Sequence, residues 1–243
     1  MKNVFVTGVK GKIGRTISEV FKEAGYFVIG QDKVGGGIDS CDLFYNFDLA
    51  EYVQDKQLRE SWNKKFQTDF DSLHVLVNNA AVQLLGHIKD YPLDHWHQTL
   101  NVNLSAPFYL IQCFYDRLVS STGSVVNIAS IHKQLTKERF FAYATSKSAL
   151  VGLTKALAVD VRGKFRVNCI SPAAVDTPML LAGFNNDLEK IHALGRLHPM
   201  QRIGRPEEVA RLALFLSEEQ TQFINGADIM IDGGISSALR DLE

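Results

Sequence analysis

Apolar and polar positions fall along this chain in two alternating rhythms. Short runs dense in β-branched and aromatic residues recur from one end to the other, separated by longer stretches in which apolar residues return at helical spacing. The first rhythm suits strands and the second amphipathic helices. Strands are expected at Asn3 to Thr7, Phe27 to Gln31, Leu43 to Phe47, His74 to Asn78, Ser124 to Ala129, Phe165 to Ile170 and Asp228 to Ile231. Helices are expected to begin near Lys12, Asp55, Asp94, Tyr143 and Pro206. The last is the most clearly marked: Pro206 suits a first helical turn, Glu207 and Glu208 favour its positive end, and Val209, Leu212, Phe215 and Leu216 form an apolar stripe. Strands alternating with helices build βαβ units. The pattern therefore predicts an α/β fold, a doubly wound seven-stranded parallel sheet with helices on both faces.

No internal repeat, low-complexity tract or linker interrupts the 243 residues, so 1–243 reads as a single domain. The weakly patterned stretch from about Thr177 to Arg205 follows the sixth strand, at the sheet's carboxyl edge. An excursion placed there is expected to serve as a mobile substrate loop.

Composition narrows the function classes. Apolar residues make up 46% and charged residues 22%, ordinary for a folded soluble chain. A net charge of −1 gives no electrostatic footprint for nucleic acid or an anionic membrane. No apolar run approaches the roughly 20 residues that span a bilayer, and the N-terminus enters a strand without a signal-peptide layout. Cys41, Cys113 and Cys169 have no metal-ligand spacing and read as reduced thiols, so a cytoplasmic protein with no metal is expected.

The stretch "FVTGVKGKIG" sets Gly8, Gly11 and Gly14 between the first strand and the first helix. Gly8 suits a tight turn, Gly11 a close backbone approach to a pyrophosphate, and Gly14 close packing of helix on strand. The helix N-terminus then offers free N–H groups to an anion. Lys10, Lys12 and Ile13 belong to the same turn. Asp32 ends the second strand, 18 residues after Gly14, close to the roughly 20-residue spacing at which an acid meets an adenosine ribose. A carboxylate there accepts ribose hydroxyls and repels a 2′-phosphate, whereas Lys10, Lys12 or Lys33 would neutralise one. The balance favours NAD over NADP.

Further on, "YATSK" places Tyr143 and Lys147 at i and i+4, on one helix face. Ser130 ends an apolar strand thirteen residues before Tyr143. A phenol of ordinary pKa, about 10, is a poor base near neutrality, and a neighbouring ammonium depresses it.

Taken in order, "TGVKGKIG", "FDL", "LVNNAA", "NVNLSAPF", "NIAS", "YATSK", "RVNCISPAAVDTPM" and "IDGG" resemble a classical short-chain dehydrogenase/reductase over essentially the whole chain. The resemblance implies one Rossmann domain in a homodimer or homotetramer, and a catalytic tetrad of Asn103, Ser130, Tyr143 and Lys147. It implies that Tyr143 exchanges a proton with the substrate oxygen while hydride passes to or from the nicotinamide. Ser130 would hold that oxygen, Lys147 would bind the nicotinamide ribose and lower the tyrosine pKa, and Asn103 would hold a relay water. Asp48 and Leu49 would border the adenine, Asn79 the adenosine side, and Val175 and Thr177 the carboxamide.

The chain departs from the family pattern twice. Lys12 stands where the family has glycine, with Gly11 one place earlier, a spacing similar to that of the extended branch of epimerases and dehydratases. Pro172-Ala173 stands for the usual Pro-Gly.

Gln83 and His132 would face the reacting centre, an arrangement similar to that of 3-hydroxybutyrate dehydrogenases, while the stretch from Ser130 to Tyr143 has the spacing of sugar dehydrogenases. Phe140 replaces the lysine of the hydroxybutyrate pattern, and Lys137 and Arg139 lie nearby as substitutes. His132 reads equally as a substrate contact or as a hydrogen-bonded loop residue. The expected activity is NAD(P)-dependent oxidoreduction of a secondary alcohol or ketone on a small polar molecule, a hydroxy acid or a sugar or polyol. An epimerase or dehydratase with bound NAD, and a non-catalytic nucleotide sensor, are the alternatives.

Overall fold

Continuous apolar runs become strands buried on both faces, as a parallel sheet requires. The computed structural model describes residues 1–239. Among these, seven parallel strands form one sheet: β1 (Asn3–Thr7), β2 (Phe27–Asp32), β3 (Leu43–Asn46), β4 (Val75–Asn78), β5 (Ser124–Ile128), β6 (Arg166–Pro172) and β7 (Asp228–Ile231). Their order is β3-β2-β1-β4-β5-β6-β7. All seven expected strands are present. The largest shift is in β6, which runs on to Pro172 because Ser171 and Pro172 pair with Met230 and Ile231.

The two-residue alternation persists inside the apolar runs. Val4, Val6, Val75, Val77, Val126 and Ile170 face one core, shared with Ile17, Phe21, Val209 and Leu216. These last four lie on helices α1 (Lys12–Glu23) and α10 (Pro206–Ser217). Phe5, Leu76, Val125 and Val167 face the opposite core, where Tyr45, Phe66 and Phe114 join Phe5 in an aromatic cluster.

Helix ends follow capping chemistry that periodicity alone misses. Asp48 caps a short α2 (Leu49–Gln54) through the Ala50 N–H, and Asp55 caps α3 (Lys56–Asp69) through the N–H groups of Gln57 and Leu58. After α4 (Leu93–Leu100) come a π-helical turn (Asn101–Ser105), α5 (Ala106–Cys113) and α6 (Tyr115–Ser120). The helix expected at Tyr143 is α7 (Phe141–Asp160). The stretch read as a weakly patterned loop holds two helices, α8 (Pro178–Gly183), capped by Thr177, and α9 (Leu188–Arg196), capped by Asp187. Their shortness is why no apolar period emerged. Among the described residues no helix is long and apolar enough to cross a membrane.

The strand order reverses between β1 and β4, and in such sheets the crevice at the strands' carboxyl ends is where ligands bind.

Candidate active site

The turn after β1 is built around its glycines. Gly8 has a φ of 69° and donates its N–H to the Gln31 carbonyl at 2.8 Å. A Cβ on Gly14 would lie 2.1 Å from the Gly8 oxygen and 2.6 Å from Asn79 Nδ2, so only glycine lets α1 seat on the turn. Gly11 is the residue just before α1, and Lys12 and Ile13 are the first two inside it. Asn79 commits its amide to this turn, donating to the carbonyls of Thr7 (2.9 Å) and Gly8 (3.2 Å). Its role here is to fasten β4's exit to β1's.

Asp32 is buried, with Oδ2 accepting the Lys10 N–H at 2.9 Å and Oδ1 the Val34 N–H at 3.1 Å. Lys10 turns its ammonium to the Gly35 carbonyl, above the Phe44 ring. Lys12 pairs with Asp176 at 2.6 Å. Beyond Asp32 a small cleft of about 100 Å³ opens, bordered by Gln31, Lys33, Asp48, Leu49, Val82 and Val102. Gln31 Oε1 is buried there without a hydrogen-bond partner. An unsatisfied acceptor, a ribose-height carboxylate and a glycine turn at a helix N-terminus fit a dinucleotide.

The candidate catalytic residues are brought together by three elements. Ser130 follows β5, and its Oγ accepts the His132 N–H at 3.2 Å, capping a one-turn 3₁₀ helix (Ile131–Lys133). Tyr143 and Lys147 occupy successive turns of α7, 8% and 2% exposed. The Lys147 ammonium donates to the Ile128 carbonyl at 2.7 Å and lies 5.6 Å from the centre of the Tyr143 ring. Asn103, from the π-helical turn, holds the backbone of Val82 from both sides: Oδ1 accepts its N–H at 2.9 Å and Nδ2 donates to its carbonyl at 3.0 Å. Widened helical turns recur at functional sites because they re-aim one side chain.

Nδ2 of Asn103 also donates to Ser146 Oγ (3.0 Å), which donates to the Tyr143 carbonyl (2.7 Å). Ser146 was missed in the sequence, although its place beside Lys147 in "YATSK" was the available signal.

Burial sets the electrostatics. It pushes the Tyr143 phenol up to about 12, with the Ser130 hydroxyl pulling the other way, and it pushes Lys147 down to about 8. The expected lowering of Tyr143 by Lys147 is not found: burial raises the phenol, and the opposing pull comes from Ser130.

Around this centre, His132 stacks on Phe140 (4.5 Å) and meets Tyr143 edge-on (5.7 Å), with Nδ1 3.3 Å from Thr136 Oγ1. Burial, aided by the Lys137 charge, pushes His132 down to about 4, so it is neutral at physiological pH. Gln83 is half-buried, one residue beyond the Val82 that Asn103 holds. Arg139 is exposed with φ 69°, and its carbonyl accepts the Gly86 N–H at 3.2 Å. Lys137 lies over Phe140 and over Phe184 at the end of α8, at 4.5 and 5.5 Å, linking the 177–205 stretch to the centre. Val175 is buried and bridges to Gly204. Among the described residues no cluster of metal-ligating side chains forms.

Residues 8–236 match the family model described as Enoyl-(Acyl carrier protein) reductase. The chain belongs to the short-chain dehydrogenase/reductase family. This dehydrogenase/reductase is 30% identical over 242 residues to an NAD-dependent glycerol dehydrogenase of Listeria innocua, covering 96% of this chain and 93% of that one. It superposes on the ligand-free aldohexose dehydrogenase of Thermoplasma acidophilum with a TM-score of 0.92, at 31% identity, over 100% and 96% of the two chains. A gluconate 5-dehydrogenase from Beutenbergia cavernae, described as putative and NAD(P) dependent and holding NADP at low occupancy, gives 0.88 at 28% identity, over 98% and 97%. The protein is thus an oxidoreductase of NAD(P)-dependent type.

Proposed function

We propose that this enzyme transfers hydride between NAD and a secondary alcohol or ketone on a small sugar or polyol. The carrying observation is the convergence of Ser130, Tyr143 and Lys147, with the Ser130 hydroxyl on the Tyr143 phenol and the Lys147 ammonium 5.6 Å from its ring, in a chain whose Asp32 borders a separate cleft beside the glycine turn. The nicotinamide, when bound, supplies the hydride acceptor or donor. The protein supplies the proton chemistry: Ser130 orients the substrate oxygen and favours the phenolate, Tyr143 takes or gives the proton, and Lys147 ties the tyrosine's helix to the strand that ends at Ser130. Asn103 acts by fixing the Val82–Gln83 wall. Asp48 and Leu49 border the adenine, Asn79 supports the adenosine side, and Val175 and Thr177 border the carboxamide.

NAD is preferred because the Asp32 carboxylate is held rigid by two backbone N–H groups. Lys10, a lysine of the turn that would welcome a 2′-phosphate, is engaged with the Gly35 carbonyl. The sugar or polyol class rests on the neutral His132 and half-buried Gln83 as uncharged hydrogen-bonding partners, and on the glycerol, aldohexose and gluconate named for the relatives. Arg139 is exposed, and only its backbone carbonyl, which accepts the Gly86 N–H, is tied to this part of the chain, so no carboxylate contact is assigned to it.

The enzyme works as a cytoplasmic homodimer or homotetramer of one domain, with 177–205 as its substrate loop. Exposed Phe108 and Val159 on α5 and α7 support self-association.

Reduction of NAD and NADP, followed by absorbance against polyols, aldoses and hydroxy acids, tests this reading. It predicts net NADH formation with a polyol or aldose. Bound NAD that survives purification with no net NADH would favour the epimerase or dehydratase alternative.

A further inference from the structure

Lys12 begins α1 in place of the family's glycine and reaches across the crevice to Asp176, 2.6 Å away. The two side chains are 43% and 46% exposed. Asp176 lies at the base of the 177–205 stretch: its N–H donates to the Gly204 carbonyl (3.0 Å), and the Gly204 N–H donates to the Ala174 carbonyl (2.8 Å). The carboxylate is thus held at a backbone-fixed point, while the lysine stem is flexible. No acidic residue occupies the first turn of α1, so Asp176 is the anion that Lys12 meets there.

We propose that Lys12 is a diphosphate-binding side chain held in reserve by Asp176, which competes for it and thereby lowers dinucleotide affinity. This rests on the dinucleotide reading above. An exposed ion pair contributes only about 0 to 1 kcal/mol, whereas a charge-assisted bond to a phosphate oxygen is roughly twice as strong as a neutral one. Exchanging Asp176 for the diphosphate therefore costs Lys12 little, but gains less than an unpaired lysine would. That suits a cosubstrate that must leave at every turnover.

The test is calorimetric Kd measurement for NAD on wild type, Lys12→Met, Asp176→Asn and the double variant, with adenosine as the ligand lacking a diphosphate. Both side chains are on the surface, so the variants are expected to fold, and thermal unfolding checks that they do. Lys12→Met is expected to weaken NAD binding about threefold to tenfold and Asp176→Asn to tighten it about threefold, the size of one such charge contact. With Lys12 already replaced, Asp176→Asn should change Kd less than about twofold, and adenosine should bind all four proteins alike. Asp176→Asn that weakens NAD binding, or tightens it equally without Lys12, overturns the proposal. Wild type that binds adenosine and NAD equally poorly overturns the dinucleotide reading itself.

Discussion

Lys147 donates its ammonium hydrogen to the carbonyl of Ile128 at 2.7 Å, bolting the helix that carries Tyr143 to the strand that ends at Ser130. Strand and helix, whose bonded residues are 19 apart, are thereby held in one register at the candidate catalytic residues. The tie places a cation where water is excluded, and burial pushes that cation down to about 8.

Stability should record this burial. Between pH 8 and the ordinary lysine value of 10.5 the unfolded chain keeps a proton on Lys147 that the folded chain has shed, so the contribution of Lys147 to stability rises with pH across that window. The full effect is about 3 kcal/mol. Cys113 and Cys169, whose thiols burial raises to about 11 and about 12 from 9.0, oppose it from about pH 9, and Tyr143, raised to about 12 from 10.0, does so above pH 10. These groups are common to wild type and a Lys147→Met variant. Denaturant titrations from pH 8 to 10 should therefore show wild type gaining on Lys147→Met, which should be inactive yet no less stable at pH 7. Parallel curves for the two proteins would refute the assignment.

Replacing Asp32 with Ala removes both a ribose acceptor and the repulsion of a 2′-phosphate. The ratio of NAD to NADP dissociation constants should shift towards NADP by about tenfold or more, the value of a charged hydrogen bond. An unchanged ratio would place cofactor choice elsewhere.

His132→Leu keeps the bulk beside Phe140 and Tyr143 but removes the ring nitrogens. KM for the polyol should rise by about tenfold, with Kd for NAD unaltered, as expected when a substrate contact alone is lost. Because His132 is held down to about 4, wild-type KM should stay level from pH 8 to pH 5. A rise in KM near the ordinary histidine value of 6.5 would show that the ring titrates as a free one.

Much of this was legible in the sequence, for identifiable reasons. A strand buried on both faces leaves an unbroken apolar run, so β1 lies at its expected bounds, and the half-buried edge strand β7 does too because its run is short and apolar after Asp228. The glycine turn and the Tyr143 to Lys147 spacing are local patterns, readable without tertiary information. Capping by Asp48, the π-helical turn that presents Asn103, and the partnership of Lys12 with Asp176 were not readable. The first two depend on backbone hydrogen bonding within a few residues, and the third joins positions 164 residues apart.

Gly14→Ala tests the packing of the glycine turn independently of chemistry. Its methyl meets the Gly8 oxygen at 2.1 Å, and the backbone must move. A stability loss of about 1 to 3 kcal/mol is expected, as for other overpacked sites, together with weaker NAD binding. Wild-type stability and affinity in this variant would mean that helix and turn are not in close contact.

The most direct measurement is the rate of NADH formation by Tyr143→Phe, beside its Kd for NAD. The substitution removes the proton-exchanging hydroxyl and keeps the ring that packs against His132 and Phe140. Turnover should fall by about a thousandfold or more, within reach of the 10²- to 10⁴-fold supplied by general acid and base groups, while Kd stays within about twofold of wild type. A variant that retains more than about a tenth of the wild-type rate would contradict the account.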